Sequence, residues 1–274
     1  MHLTEFQWIV GLSAALLVGI SKTGVPGVGI VVVPMLACAF GGRLSAGIML
    51  PMLIMGDVFA VAWYRRHAQW DKLVGLLPWV YLGLVFGTIA LVITGKHKVA
   101  IKDPTALIIG VLVIVMVVVH LLKNRLGERF QPTSRAGVAG TGVAAGFSTT
   151  VSNAAGPVMQ MFLAAHKLPK EAFMGTISWY FFIINLSKFP IYIVLSRLMP
   201  TDPIVTTDSL WLNLAVAPAI IAGAFLGKWL LPRISQKSFE GLVIALALVG
   251  GMKLIVPQAW LSTAWHAITR LVVR

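Results

Sequence analysis

Apolar stretches lie near residues 6–22, 24–41, 44–64, 72–94, 104–122, 135–150, 153–165, 171–198, 209–231 and 238–256. A helix needs about 20 apolar residues to cross a bilayer. Six of the stretches are long enough. The first and second, and the sixth and seventh, are short, and each of these pairs meets at a break rich in Gly, Ser, Thr and Pro. The pattern predicts an all-α polytopic membrane protein. Nothing between the stretches is long enough to fold separately, so 1–274 reads as a single transmembrane domain. Residues 257–274, with Trp260, Trp265, Arg270 and Arg274, read as an interfacial tail. The segment Met1–Glu5 has no cationic run before the first apolar stretch, so no cleaved signal is expected.

The pattern also repeats. An offset of 127 lays GISKTGVPGVGIV (19–31) over GFSTTVSNAAGPV (146–158). An offset of 128 lays Asp57 over Asn185 and Tyr64 over Tyr192, and an offset of 140 lays Pro78, Gly83 and Gly87 over Pro218, Gly223 and Gly227. Three matches in one order, with offsets that grow only through loops, indicate an internal duplication. Repeat 1 spans about 6–122 and repeat 2 about 135–256. If each short pair is a re-entrant hairpin beside three long transmembrane helices, the number of crossings per repeat is odd and the second copy is inverted. Five full crossings give the same parity, whereas one interrupted helix per pair would make the copies parallel. Inverted repeats with broken helices are a secondary-transporter architecture, in which the breaks mark the binding site.

Composition agrees with the pattern and removes some alternatives. The chain is 58% hydrophobic and 11% charged, with a mean hydropathy of +0.89; a soluble domain carries roughly a quarter charged residues. The formal net charge of +13 does not imply nucleic-acid binding, because the basic residues lie in short loops rather than on one soluble face. Opposite the termini those loops hold Arg65, Arg66, Lys72, Lys123, Arg125, Arg129, Arg135, Lys167, Lys170, Arg233 and Lys237. The terminal side holds Arg43, Lys96, Lys98, Lys102, Arg197, Arg270 and Arg274. Eleven against seven puts both termini outside the cytoplasm. The single cysteine, Cys38, permits no internal disulfide and reads as a small buried hydrophobe.

Candidate chemistry gathers at the breaks. Irregular backbone at membrane depth is tolerated only where protein or a water-filled cavity surrounds it. A helix that restarts after Pro26 aims free N–H groups and a positive dipole end at the membrane centre, as an anion site requires. Ser21, Lys22, Thr23 and Gly24 would line one side of such a site, and Ser148, Thr149, Thr150, Ser152 and Asn153 the other. Lys22 is read either as a site cation or as a lysine that snorkels to a surface. No G-x-x-x-x-G-K-[ST] frame exists, so Lys22-Thr23 is not a phosphate loop.

Asp57 is the only carboxylate well inside a long apolar run, where a charge costs about 3 kcal/mol or more. It is a candidate proton carrier, or else a structural partner of Lys22 or Lys188. Asn185 and Lys188 share a helix face three residues apart, and Pro190 should weaken that helix. Tyr64 and Tyr192 either line the cavity or belong to an interfacial belt. Gly83, Gly87, Gly223 and Gly227 read as close helix-packing positions. His67, His97 and His166 fall in loops without metal-ligand spacing and read as solvated.

GISKTGVPGVGIVVVP (19–34), DVFAVAWYRRHAQW (57–70), the run from Gly146 through SNAAGPVMQMFL (152–163), and NLSKFPIY (185–192) resemble the TauE/SafE family of sulfite exporters and sulfonate permeases. The resemblance covers roughly 10–255. It implies an inner-membrane transporter of small sulfur-containing anions, with two repeated halves. The expectation is a secondary transporter for sulfite, thiosulfate or organosulfonates, coupled to protons or to membrane potential. An anion channel, or a carrier for a non-sulfur organic anion, is the alternative. No cofactor is expected, and no clustered carboxylates, metal triad or nucleophile–base pair suggests an enzyme. The expected partners are a small anionic substrate and the lipid bilayer, with a homo-oligomer left open.

Overall fold

The structure is a computed structural model that describes residues 3–24, 29–96, 104–126, 134–166 and 168–230, together with 248 and 252. The expected tail at 257–274, nearly all of the stretch at 238–256, Pro26 and His97 lie outside the described residues. Among the described residues the chain is all-helical, with α1 Glu5–Thr23, α2 Gly29–Phe40, α3 Gly42–Tyr64, α4 Trp70–Lys96, α5 Pro104–Leu126, α6 Arg135–Ser152, α7 Gly156–Ala165, α8 Lys170–Leu198 and α9 Thr207–Leu230. A single 3-10 turn, Arg65–His67, follows α3. Among the described residues five helices are long and apolar enough to cross a membrane: those at Glu5–Thr23, Gly42–His67, Trp70–Gly95, Glu171–Leu198 and Thr207–Trp229. The first of them, read from the sequence as too short, gains its length from the capped turn at Glu5 and from Thr23. This is a multi-pass membrane protein.

The first short pair is a hairpin. Thr4 caps α1, accepting from the Gln7 N–H while the Gln7 side chain accepts from the Thr4 N–H. Gln7 also donates to Ala39 O at the far end of α2 (3.1 Å). At the other end, Gly29 N donates to Ser21 Oγ (3.2 Å). Residue 7 therefore meets residue 39 while residue 21 meets residue 29, so the two helices run antiparallel. The second break is tighter. α6 ends at Asn153, whose left-handed backbone (φ 56°, ψ 22°) turns the chain, and α7 begins three residues later.

Glycine decides which helices pair. α1 lies against α9, and α4 against α6. A methyl on Gly19 would strike Ile220 O and Ala224 N; one on Gly146 would strike Val80 O and Leu84 N. Gly223 abuts Leu16 O as Gly83 abuts Val143 O, and Gly227 abuts Ile20 O as Gly87 abuts Phe147 O. Every member of these pairs is related to its counterpart by the sequence offsets of 127 and 140. The hydroxyls of Tyr64 and Tyr192 follow the same rule, donating to Thr23 O (3.2 Å) and Thr150 O (2.5 Å) at the ends of α1 and α6. These tyrosines therefore satisfy orphan carbonyls at helix ends. That use differs from both a cavity lining and an interfacial belt.

α3 and α8 cross at the centre, where Asn185 meets Asp57. Near one end Gly175 approaches Tyr64 O, and near the other Tyr192 and Leu195 join the cluster of Ala46 and Leu50. The two helices are thus antiparallel. α8 runs through Pro190 unbroken, because packed neighbours hold such a helix despite the missing donor. Large apolar side chains of α4 and α9, among them Trp79, Phe86, Ile93, Trp211, Phe225 and Trp229, face outward. Lys228 rises from this surface over the Trp63 ring (4.6 Å).

Some basic and polar positions differ from their sequence reading. Arg43 is not in a loop. It is buried in the first turn of α3, where it bonds Leu91 O, Asp202 O (3.1 Å) and the Asp202 carboxylate (3.1 Å). Cys38 is half-buried rather than buried. His67 is exposed and pairs with Glu171 (3.2 Å), while His166 bonds Phe162 O through Nδ1 (2.8 Å).

Candidate functional site

The end of α1, the start of α2, the second break and the middle of α3 and α8 line a cavity of about 70 Å³, room for several waters at ~10–15 Å³ each. Its polar wall is Ser21, Lys22, Asp57, Thr149, Asn153, Gln160 and Ser178. Its apolar wall includes Ile30, Met49, Leu53, Pro157, Met174, Ile177 and Phe181. The first residues of α2 (Gly29, Ile30) and of α7 (Gly156, Pro157) also lie on the wall. The positive dipole ends of two helices therefore converge on one space.

Lys22 stands at the α1 end of that space. Its Nζ is 2.7 Å from Asp57 Oδ1 and 4.1 Å above the centre of the Phe181 ring, and its side chain is 11% exposed. Asp57 is completely buried, and its second oxygen accepts from Asn185 Nδ2 (2.7 Å). Lys188 lies behind the wall, completely buried. Its ammonium donates to Thr149 O (2.9 Å), Thr149 Oγ1 (2.9 Å) and Asn153 Oδ1 (2.6 Å). Three donors meet three acceptors, and the cation sits at the negative end of α6. Asn153 in turn donates to Ala46 O (3.0 Å), tying the break to α3.

The cavity gathers Ser21, Lys22, Thr149, Asn153 and Asp57 from the sequence-derived candidates. Asn185 and Lys188 reach it only through those residues. Ser148, Thr150 and Ser152 are turned into their own helix, donating to Ala144 O (2.7 Å), Gly146 O (2.7 Å) and Ser148 O (2.8 Å). Thr23 donates to Ala224 O (2.7 Å), and Gly24 lies against Gly227. Both belong to the α1–α9 contact. Ser21 spends an oxygen lone pair on Gly29 N, so the first N–H of α2 is already capped.

Sequence reasoning did not single out Gln160, Ser178 or Phe181. A signal existed for two of them. Ser178, Phe181, Asn185, Lys188 and Tyr192 recur at spacings of three and four, which places them on one face of α8.

The Lys22 ammonium, two helix N-termini and a lining of amide and hydroxyl groups thus face one cavity within the helices of a membrane protein. The family model described as "Sulfite exporter TauE/SafE" matches residues 11–254, and the chain belongs to the TauE/SafE family, a family of transporters. Comparison with curated proteins and with solved structures gives no match.

Proposed function

We propose that this protein is a secondary transporter that moves sulfite, thiosulfate or small organosulfonates across the inner membrane through the Lys22 cavity. The observation that carries the reading is the convergence of the Lys22 ammonium with the starts of α2 and α7 on one cavity. Anions are stabilised by this combination of full charge and oriented N–H groups. Family membership supports the sulfur-containing class. Asp57, the carboxylate in that wall, is the group assigned to proton coupling.

Two halves related by an inverting axis support alternating access around this site. The paired glycine and tyrosine contacts support a two-fold relation. α3 and α8 are repeat mates and cross antiparallel at the Asp57–Asn185 pair. A two-fold axis relating antiparallel mates runs perpendicular to them, which in a membrane means parallel to its plane. The loop charges support both termini on the non-cytoplasmic side.

The test is uptake into proteoliposomes with sulfite, thiosulfate, methanesulfonate and a carboxylate of similar size, with and without a pH gradient. The sulfur anions should accumulate and compete with one another. Preference for the carboxylate would make this a carrier for a different anion, and fluxes at channel rates would remove the carrier mechanism.

A further inference from the structure

Asp57 and Asn185 occupy equivalent positions in the two halves, and their side chains touch. A carboxylate only accepts hydrogen bonds, so the amide must present its nitrogen to it. That leaves the amide oxygen with no donor from Asp57. Asn185 Oδ1 is indeed buried and has no hydrogen-bond partner among the described residues, an arrangement that proteins rarely keep without a use. The other Asp57 oxygen, Oδ1, has the Lys22 ammonium 2.7 Å away. An oxyanion that enters the cavity therefore meets a neutralised pair, drawn by Lys22 and repelled by Asp57.

The geometry points to a proton-operated latch in which protonation of Asp57 releases Lys22 to the entering anion while the new O–H turns to Asn185 Oδ1. A carboxylic acid and a primary amide close a ring of two hydrogen bonds. The acid O–H donates to the amide oxygen, and the amide N–H donates to the acid carbonyl. The amide N–H half of that ring is already in place at 2.7 Å. One proton from water adds to the carboxylate, Lys22 stays an ammonium, and the site gains one positive charge for the anion to neutralise. Proton and anion enter together.

The charged groups that face Asp57 are Lys22 from α1 and Lys188 from α8. Lys188 keeps its three bonds to Thr149 and Asn153, so the released cation is Lys22. Asn185 is a positioning residue that holds the proton where Lys22 no longer needs Asp57. The inference rests on the reading of the cavity as the anion site.

The test uses the purified full-length protein in detergent with methanesulfonate and thiosulfate, whose charges are constant from mildly acidic to mildly alkaline pH. Wild-type affinity should fall about tenfold per pH unit on the alkaline side, with one proton taken up per anion. Calorimetry in buffers of different ionisation enthalpy reads the uptake. Asp57→Asn should bind throughout that range with the affinity the wild type reaches only in acid, and without proton uptake. Infrared difference spectra should show a carboxyl C=O band on anion binding, absent from Asp57→Asn. In Asn185→Ala, where the acid has lost its amide, the band should move to higher frequency.

Wild-type binding without proton uptake overturns the latch and leaves the anion site standing. Binding that survives Lys22→Ala, or no wild-type binding of either probe, overturns the site and the latch together. An unmoved band in Asn185→Ala refutes the role given to Asn185. If Asp57→Asn does not fold, the wild-type proton uptake and infrared band decide the matter.

Discussion

Two lysines stand near one carboxylate, and they differ in their partners. Lys22 faces a cavity and pairs with the Asp57 carboxylate; Lys188 faces three neutral oxygens at the end of α6. Lys22→Ala should weaken anion binding by about 10- to 100-fold, as expected for loss of a charged hydrogen bond of ~1.5–3 kcal/mol. Lys22→Arg should not rescue, since a planar fork replaces a compact ammonium. Lys188→Met should act on stability instead. It leaves the buried Asn153 Oδ1 without a donor, at about 1–3 kcal/mol, while Thr149 O keeps the Asn153 N–H (3.0 Å), so thermal stability in detergent should drop. The sequence made both lysines and Asp57 visible because charge is rare in apolar runs. It did not separate their roles, nor reveal that Ser148, Thr150 and Ser152 spend their hydroxyls on their own helix. Serine and threonine within a helix routinely bond back to a carbonyl one turn earlier, and only the backbone around them tells which do.

At the scale of elements, the long helices follow the apolar pattern closely, and the breaks fall where glycine, proline and small polar residues cluster. Glycine spacing indicated close packing without naming the partner. In the fold, Gly146 of α6 has α4 backbone where a side chain would be, whereas Gly140 has nothing within 4 Å. Gly140→Ala should therefore stabilise the protein by about 0.5–1 kcal/mol, the helix-propensity gain. Gly146→Ala should instead force α4 and α6 apart and lower both the melting temperature and the yield of folded protein. Equal behaviour of the two variants in a thermal melt would contradict this packing of α4 on α6. Thr23→Val should behave as a packing change too, with lower stability and unchanged anion affinity, because its hydroxyl joins α1 to α9 through Ala224 O.

For the whole molecule, the inverted arrangement makes a topological claim that labelling can check. His67 after α3 pairs with Glu171 at the start of α8, so these two ends share one side. In a Cys38→Ser background, Arg66→Cys and Leu168→Cys should react with a membrane-impermeant maleimide only from the cytoplasmic side. Pro200→Cys should react only from the opposite side. Labelling of all three from one side would exclude the inversion and the orientation together.

The amino-acid order alone determined that this chain lives in a membrane, where its helices and their breaks fall, and that its two halves carry matching residues at fixed offsets. Those properties follow from hydrophobicity, length and repetition, which are local or periodic. It also marked Lys22 and Asp57, since a charge that is costly to bury stands out in one dimension. The tertiary structure decided which helices pair, because glycine contacts join α1 to α9 and α4 to α6 across about 200 and 60 residues of chain. It decided as well that Asp57 holds Lys22 with one oxygen and Asn185 with the other, leaving Lys188 to the end of α6. Several sequence-compatible pairings existed for that carboxylate, and side-chain reach across a packed interface selects among them.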